Sequence, residues 1–178
     1  MVLFSPIAFF RRTTTRAQPE AAAGFARGHL LIASLLFGAA ADIHGCWILT
    51  FQASRPFSLT TQLLGWLLMS AATFIALIWG THLAAWLTQL EARYRGFRLP
   101  TPVVSRALAF HSACYLPVGI VAAATTLAYQ FALRLYPFYW SIHLDMYLYV
   151  LSAEVVLGAM YLFATYWAAM RNIMYANH

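Results

Sequence analysis

Charge is what this sequence has least of. Only 9% of its 178 residues are Asp, Glu, Lys or Arg, where a water-soluble domain carries about 25%. A polar shell for a soluble fold cannot be assembled from so few groups. Lysine is absent: all eleven basic residues are arginine, set against five acids, for a net charge of +6. Cysteine occurs twice, at Cys46 and Cys114. Neither has a C-x-x-C partner, and their positions place them toward opposite faces of a membrane. A bridge needs α-carbons within about 7 Å, so two buried apolar thiols are expected instead. The sequence also lacks G-x-x-x-x-G-K-[ST], H-E-x-x-H, G-x-S-x-G and any Cys/His zinc spacing, which removes the common phosphate, metalloprotease and serine-hydrolase chemistries. No span repeats charges as a voltage sensor does, and no pair of broken half-helices marks an inverted-repeat transporter.

What is present is hydrophobicity, at 62% of the chain. The few charges fall between long apolar stretches, the pattern a bilayer imposes. About 20 apolar residues cross the hydrocarbon core, and four segments meet that requirement, near 28–51, 59–87, 104–131 and 148–170. They make a membrane domain over 28–170, between a basic N-terminal tail (1–27) and a short C-terminal tail (171–178). Their length excludes a membrane β-barrel, whose strands need only about 10 residues. The expected fold class is an all-α integral membrane protein with four transmembrane helices in an antiparallel bundle. Pro56 precedes the second span, while Gly96, Pro100 and Pro102 mark the loop after it. Trp66 and Trp86 stand toward the ends of span two, as an aromatic belt would place them. Pro117 predicts a kink in span three, because it removes one backbone donor.

Arginine counting sets the orientation. The N-terminal tail, the loop between spans two and three and the C-terminus hold nine arginines (11, 12, 16, 27, 93, 95, 98, 106 and 171), and the other two loops hold only Arg55 and Arg134. Both termini are therefore expected on the cytoplasmic or matrix side. Topology accounts for the basic residues, and with no soluble basic face no nucleic-acid partner is expected. The first 27 residues are rich in Arg and Thr with one acid, Glu20, as mitochondrial transit peptides are. A bacterial positive-inside tail has the same composition. The mitochondrial inner membrane is the expected location, with a bacterial plasma membrane as the alternative.

Polar residues inside a bilayer are costly, about 2.5–3.5 kcal/mol for a central charge on insertion scales, so each needs a reason. At about 1.5 Å of rise per residue, His44 and Glu154 fall at one depth, roughly 10 Å from the outer side, with Asp42 slightly deeper. Asp42, His44 and Glu154 are expected to form an intramembrane polar cluster in which His44 and Glu154 neutralise each other. On the inner side, His82 and His111 fall on consecutive antiparallel spans at similar depth, the arrangement that can hold a b-type haem through two imidazoles. Gly80 makes room on one helix, but Phe110 and Ser112 flank His111. Hydrogen-bonded histidines are the expectation there, with haem ligation as the alternative. His143 and Asp145 sit two apart in an interfacial stretch and do not share a helix face.

A short four-span chain without a catalytic constellation works by packing against other chains. The expected function is an accessory membrane subunit of a larger energy-transducing, respiratory-type complex, with other membrane subunits and the lipid bilayer as partners. No cofactor is required, and bound lipid is expected. Two alternatives stand beside this: a redox subunit binding haem b or quinone through the histidine layers, and a small transporter or trafficking protein.

Overall fold

The computed structural model describes residues 19–53, 58–136 and 144–176, with side chains over 22–45, 58–132, 134–136 and 145–175. The basic residues 1–18, the connections at 54–57 and 137–143, the final two residues, and the side chains of Cys46 and His143 lie outside the described residues. Every described element is helical: α1 Pro19–Ala53, α2 Leu59–Tyr94, α3 Thr101–His111, a 3₁₀ turn Ser112–Cys114, α4 Tyr115–Leu135 and α5 Leu144–Ala176. Four stretches are long and apolar enough to cross a membrane: Ala22–Gly45, Leu59–Tyr94, Thr101–Ala132 and Asp145–Tyr175. The protein is an all-helical membrane protein with four candidate spans.

The helices run beyond the apolar segments read from sequence. At 36 residues, α2 is about 54 Å long against a hydrocarbon core of about 30 Å, so a good part of it lies outside the bilayer core. It stops in a Schellman turn. Gly96 takes φ +80°, Phe97 N–H reaches Ala92 O at 2.8 Å and Gly96 N–H reaches Arg93 O at 3.1 Å, which satisfies two terminal carbonyls. Pro100 caps α3 and Pro102 lies in its first turn, where a missing N–H costs nothing. Pro102 therefore belongs to the helix rather than to the loop. Arg106, counted above with the loop arginines, also lies within α3 and is only 6% exposed.

Span three is interrupted where Pro117 requires it. Proline has no N–H to give the carbonyl four residues back, at Ala113, and the chain tightens into the 3₁₀ turn Ser112–Cys114 there. The Ser112 hydroxyl donates to Ala109 O at 2.6 Å.

The chain divides into two compact units. One holds Met1–Leu31, Ala76–Leu116 and Met160–His178; the other holds Ile32–Ile75 and Pro117–Ala159. In the first, Val104, Ala107, Cys114, Ala169 and Ile173 are fully buried and form a single apolar core. In the second, glycines set the helix contacts. A Cβ added at Gly38 would lie 2.6 Å from the Ser70 Cα and backbone N, so the two backbones touch. A Cβ added at Gly158 would lie 2.8 Å from a Val118 side-chain methyl, and one at Gly119 would lie 3.2 Å from the Leu36 Cβ. Close approach of small residues is how helices associate in lipid, where apolar burial alone gives little. At Gly45, by contrast, a Cβ would meet nothing within 4 Å.

Candidate functional site

Among the described residues, a grouping of polar side chains lies inside the helices of each unit. In the unit made of 32–75 and 117–159, His44 Nδ1 on α1 lies 3.2 Å from the Tyr147 hydroxyl on α5. Tyr147 is 4% exposed and stacks on Tyr129 of α4, ring centroids 4.0 Å apart. It also reaches the Thr126 hydroxyl and interacts electrostatically with Glu154. The Thr125 hydroxyl donates to Glu154 Oε1. Among the described residues, the other carboxyl oxygen of Glu154, Oε2, is buried with no hydrogen-bond partner. Tyr147 thus contacts His44 and feels the charge of Glu154, and Thr125 is the donor that serves the carboxyl group.

Asp42 meets α2. Its carboxyl oxygen occupies the space a side chain would take at Gly65 on α2. Residues two apart on a helix point in different directions, so Asp42 faces α2 while His44 faces α5. Only glycine at position 65 leaves room for that carboxyl group. On α2 the Trp66 indole N–H donates to Leu35 O at 3.1 Å, which gives this aromatic a partner within the chain.

The other unit holds His111, 4% exposed, with its Nε2 3.0 Å from the Thr165 hydroxyl. The rings of Tyr115 and Tyr166 stand edge-on to the imidazole at 5.9 and 6.2 Å. Tyr166 Oη lies 2.7 Å from Thr88 Oγ1, and Tyr115 bonds the Thr81 hydroxyl. These side chains line an open, largely apolar pocket of about 320 Å³ with Gly80, Leu83 and Leu162. Cys114, fully buried beside them, bonds Thr165 and Tyr161. His82 is exposed on α2. The structure surrounds His111 with threonine and tyrosine, and it places His82 on the surface of its helix.

Sequence reasoning found the histidines and the acids but missed the hydroxyl residues that partner them. A signal was there. Tyr115 is four residues after His111, and Tyr147 is seven before Glu154, so each falls on the same helix face as the group it serves. Among the described residues no group of three or more His, Cys, Asp or Glu side chains is placed to hold a metal ion.

Fold and sites together define a helical membrane protein with four candidate spans and, among the described residues, a buried polar grouping in each unit. No protein family, no curated protein and no solved structure matches this chain.

Proposed function

We propose that this chain is a non-catalytic membrane subunit that packs against other membrane polypeptides in a larger energy-transducing complex of respiratory type. The observation that carries the reading is Trp79. It lies within one turn of the midpoint of α2 and is 73% exposed. Indole rings in lipid-facing positions collect at the membrane interface, where the N–H reaches water or headgroups. Trp79 lies eight residues, about 12 Å of helix rise, inside the end of the apolar segment 59–87, where an unpaired polar N–H in hydrocarbon is unfavourable. Among the described residues none accepts the Trp79 N–H, whereas Trp66 donates to Leu35 O. An acceptor on a neighbouring helix from another chain satisfies it.

The burial pattern supports the same reading. Half of the most apolar window of span three is buried, against 6% for spans two and four. The mitochondrial inner membrane is the proposed location, on the Arg- and Thr-rich composition of the first residues, with both termini on the matrix side by arginine distribution. The bacterial plasma membrane, with cytoplasmic termini, is the alternative. A photoreactive side chain at position 79, activated in native membranes, tests the proposal. Crosslinks to one or two defined polypeptides are expected, and adducts with lipid alone would overturn it.

A further inference from the structure

Where α2 and α5 leave their apolar segments, a pocket of about 150 Å³ is lined by Glu91, Arg95 and Phe97 from the end of α2 and the turn after it, and by Trp167, Arg171 and Tyr175 of α5. All six belong to one compact unit. Glu91 and Arg95 follow the apolar segment that ends at 87, and Arg171 follows the one that ends at 170. The pocket therefore straddles a boundary, with Trp167 at the edge of the hydrocarbon segment and both arginines beyond it. Phe163, Trp167 and Arg171 recur every four residues, so they share a face of α5, each step about 6 Å along the axis. Phe163 and Trp167 are 65% and 40% exposed and stack with ring centroids 6.4 Å apart. Along that face, open aromatic surface gives way to positive charge.

The basic part of this lining can only donate. A guanidinium keeps its charge throughout the physiological range and carries five N–H bonds and no acceptor. Arg95 gives one nitrogen to Glu91, Nη2 to Oε1 at 2.7 Å, and its guanidinium lies 5.8 Å from the centre of the Trp167 ring. Arg171 lies 5.9 Å from the Tyr175 ring and has no carboxylate partner among the described residues. Neither arginine is needed to close the end of α2. The carbonyls of Glu91, Ala92 and Arg93 already accept from the backbone N–H groups of Arg95, Phe97 and Gly96. Two guanidiniums stand against one carboxylate, so the pocket keeps an excess positive charge. Met170 and Met174, both buried, complete its apolar wall.

We infer that this pocket binds the phosphodiester of an anionic phospholipid, whose acyl chains run along Phe163 and Trp167. The two free oxygens of a phosphodiester accept and never donate, so charge and hydrogen-bonding sense both complement Arg95 and Arg171. The volume lies below the roughly 300 Å³ at which sites for whole small molecules begin, so the pocket takes the phosphate group and leaves the chains on the exposed aromatic face. A free phosphate ion would satisfy the arginines and make no use of that face. Basic pockets between helices on the cytoplasmic or matrix side hold lipid headgroups, and arginine counting assigns this end of the chain to that side. The inference is independent of whether the chain has partner subunits.

Binding is measured on the full chain in an uncharged mild detergent, by native mass spectrometry during titration with phosphatidylglycerol or with phosphatidylcholine of the same chains. Phosphatidylglycerol is expected to bind about fivefold more tightly, the effect of about one net charge at a membrane surface. Arg171→Gln should weaken its binding about fivefold, and adding Arg95→Gln should weaken it by a similar factor again. Glu91→Gln should tighten binding, a gain that no loss of fold produces. Arg134→Gln removes the same charge from an exposed position in the other unit and should change nothing. Equal affinity for the two lipids would overturn the inference, as would undiminished binding by Arg171→Gln or weaker binding by Glu91→Gln. A loss in Arg134→Gln as large as that in Arg171→Gln would reduce the effect to overall charge and overturn it too. Displacement of the lipid by equimolar inorganic phosphate would overturn the assignment to a lipid in favour of a free-anion site.

Discussion

Tyr147 holds His44: the phenol oxygen lies 3.2 Å from Nδ1 of the imidazole, across a separation of 103 residues in sequence. The contact joins α1 to α5 within one unit, and the stack of Tyr147 on Tyr129 brings in α4. One side chain thus combines a polar contact and an aromatic one, and the two can be separated by mutation. Tyr147→Phe removes the hydroxyl and keeps the ring. Its expected cost is about 0.6 kcal/mol, the mean for polar contacts between membrane helices. Tyr147→Ala also removes a buried ring and should cost several-fold more, about 3 kcal/mol or above. Unfolding in mixed detergent micelles measures both. Equal losses for the two variants would mean that the ring stack contributes nothing.

Thr125 and Glu154 make a second pair whose members are not equivalent. Thr125→Val takes away the hydrogen bond to Oε1 and leaves a carboxyl group whose Oε2 already lacks a partner. A polar group stranded in this way costs about 1–3 kcal/mol. Glu154→Leu removes the carboxyl group itself, and the freed threonine hydroxyl can turn to its own helix, as Thr126 does with Ala122 O at 2.7 Å. The expected order is that Thr125→Val destabilises more than Glu154→Leu. The double variant should recover most of the loss. If Glu154→Leu proves the worse of the two, the carboxyl group has a larger role than the threonine contact explains.

At Gly38 the constraint is backbone against backbone. An added methyl group would overlap the Ser70 main chain on α2, which cannot rotate away as a flexible side chain can. Gly38→Ala should cost about 1–3 kcal/mol, the usual range for overpacking. Gly24→Ala is the matched control, since open space surrounds that position; it should be neutral or slightly stabilising, because alanine favours helix. The same micelle unfolding assay distinguishes them, and a neutral Gly38→Ala would show that α1 and α2 do not approach this closely in the bilayer.

The four spans were legible because their signal is one of length and composition, and neither depends on what packs against what. The helix stop at Gly96 and the break before Pro117 were legible for a local reason: one residue needs a left-handed backbone and the other lacks a donor. The sites were harder. His44, Asp42, Glu154 and His111 stand out in a nearly uncharged sequence because each is expensive in lipid. Their partners do not stand out. Thr125, Thr165 and Tyr147 are ordinary residues in apolar helices, and which of them meets a given histidine depends on rotation and register between helices. A depth estimate put His44 and Glu154 in one layer, but it says nothing of helix azimuth. That is why Tyr147 went unseen and why Asp42 faces a different helix from His44 two positions away.

The central claim is that this chain is one subunit of a larger membrane assembly, and the mass of the particle extracted from native membranes in mild detergent tests it most directly. The account predicts a particle much heavier than the 19.9 kDa chain, containing a fixed set of other polypeptides in constant ratio across preparations. A monodisperse particle holding one copy of the chain with detergent and lipid alone would contradict it.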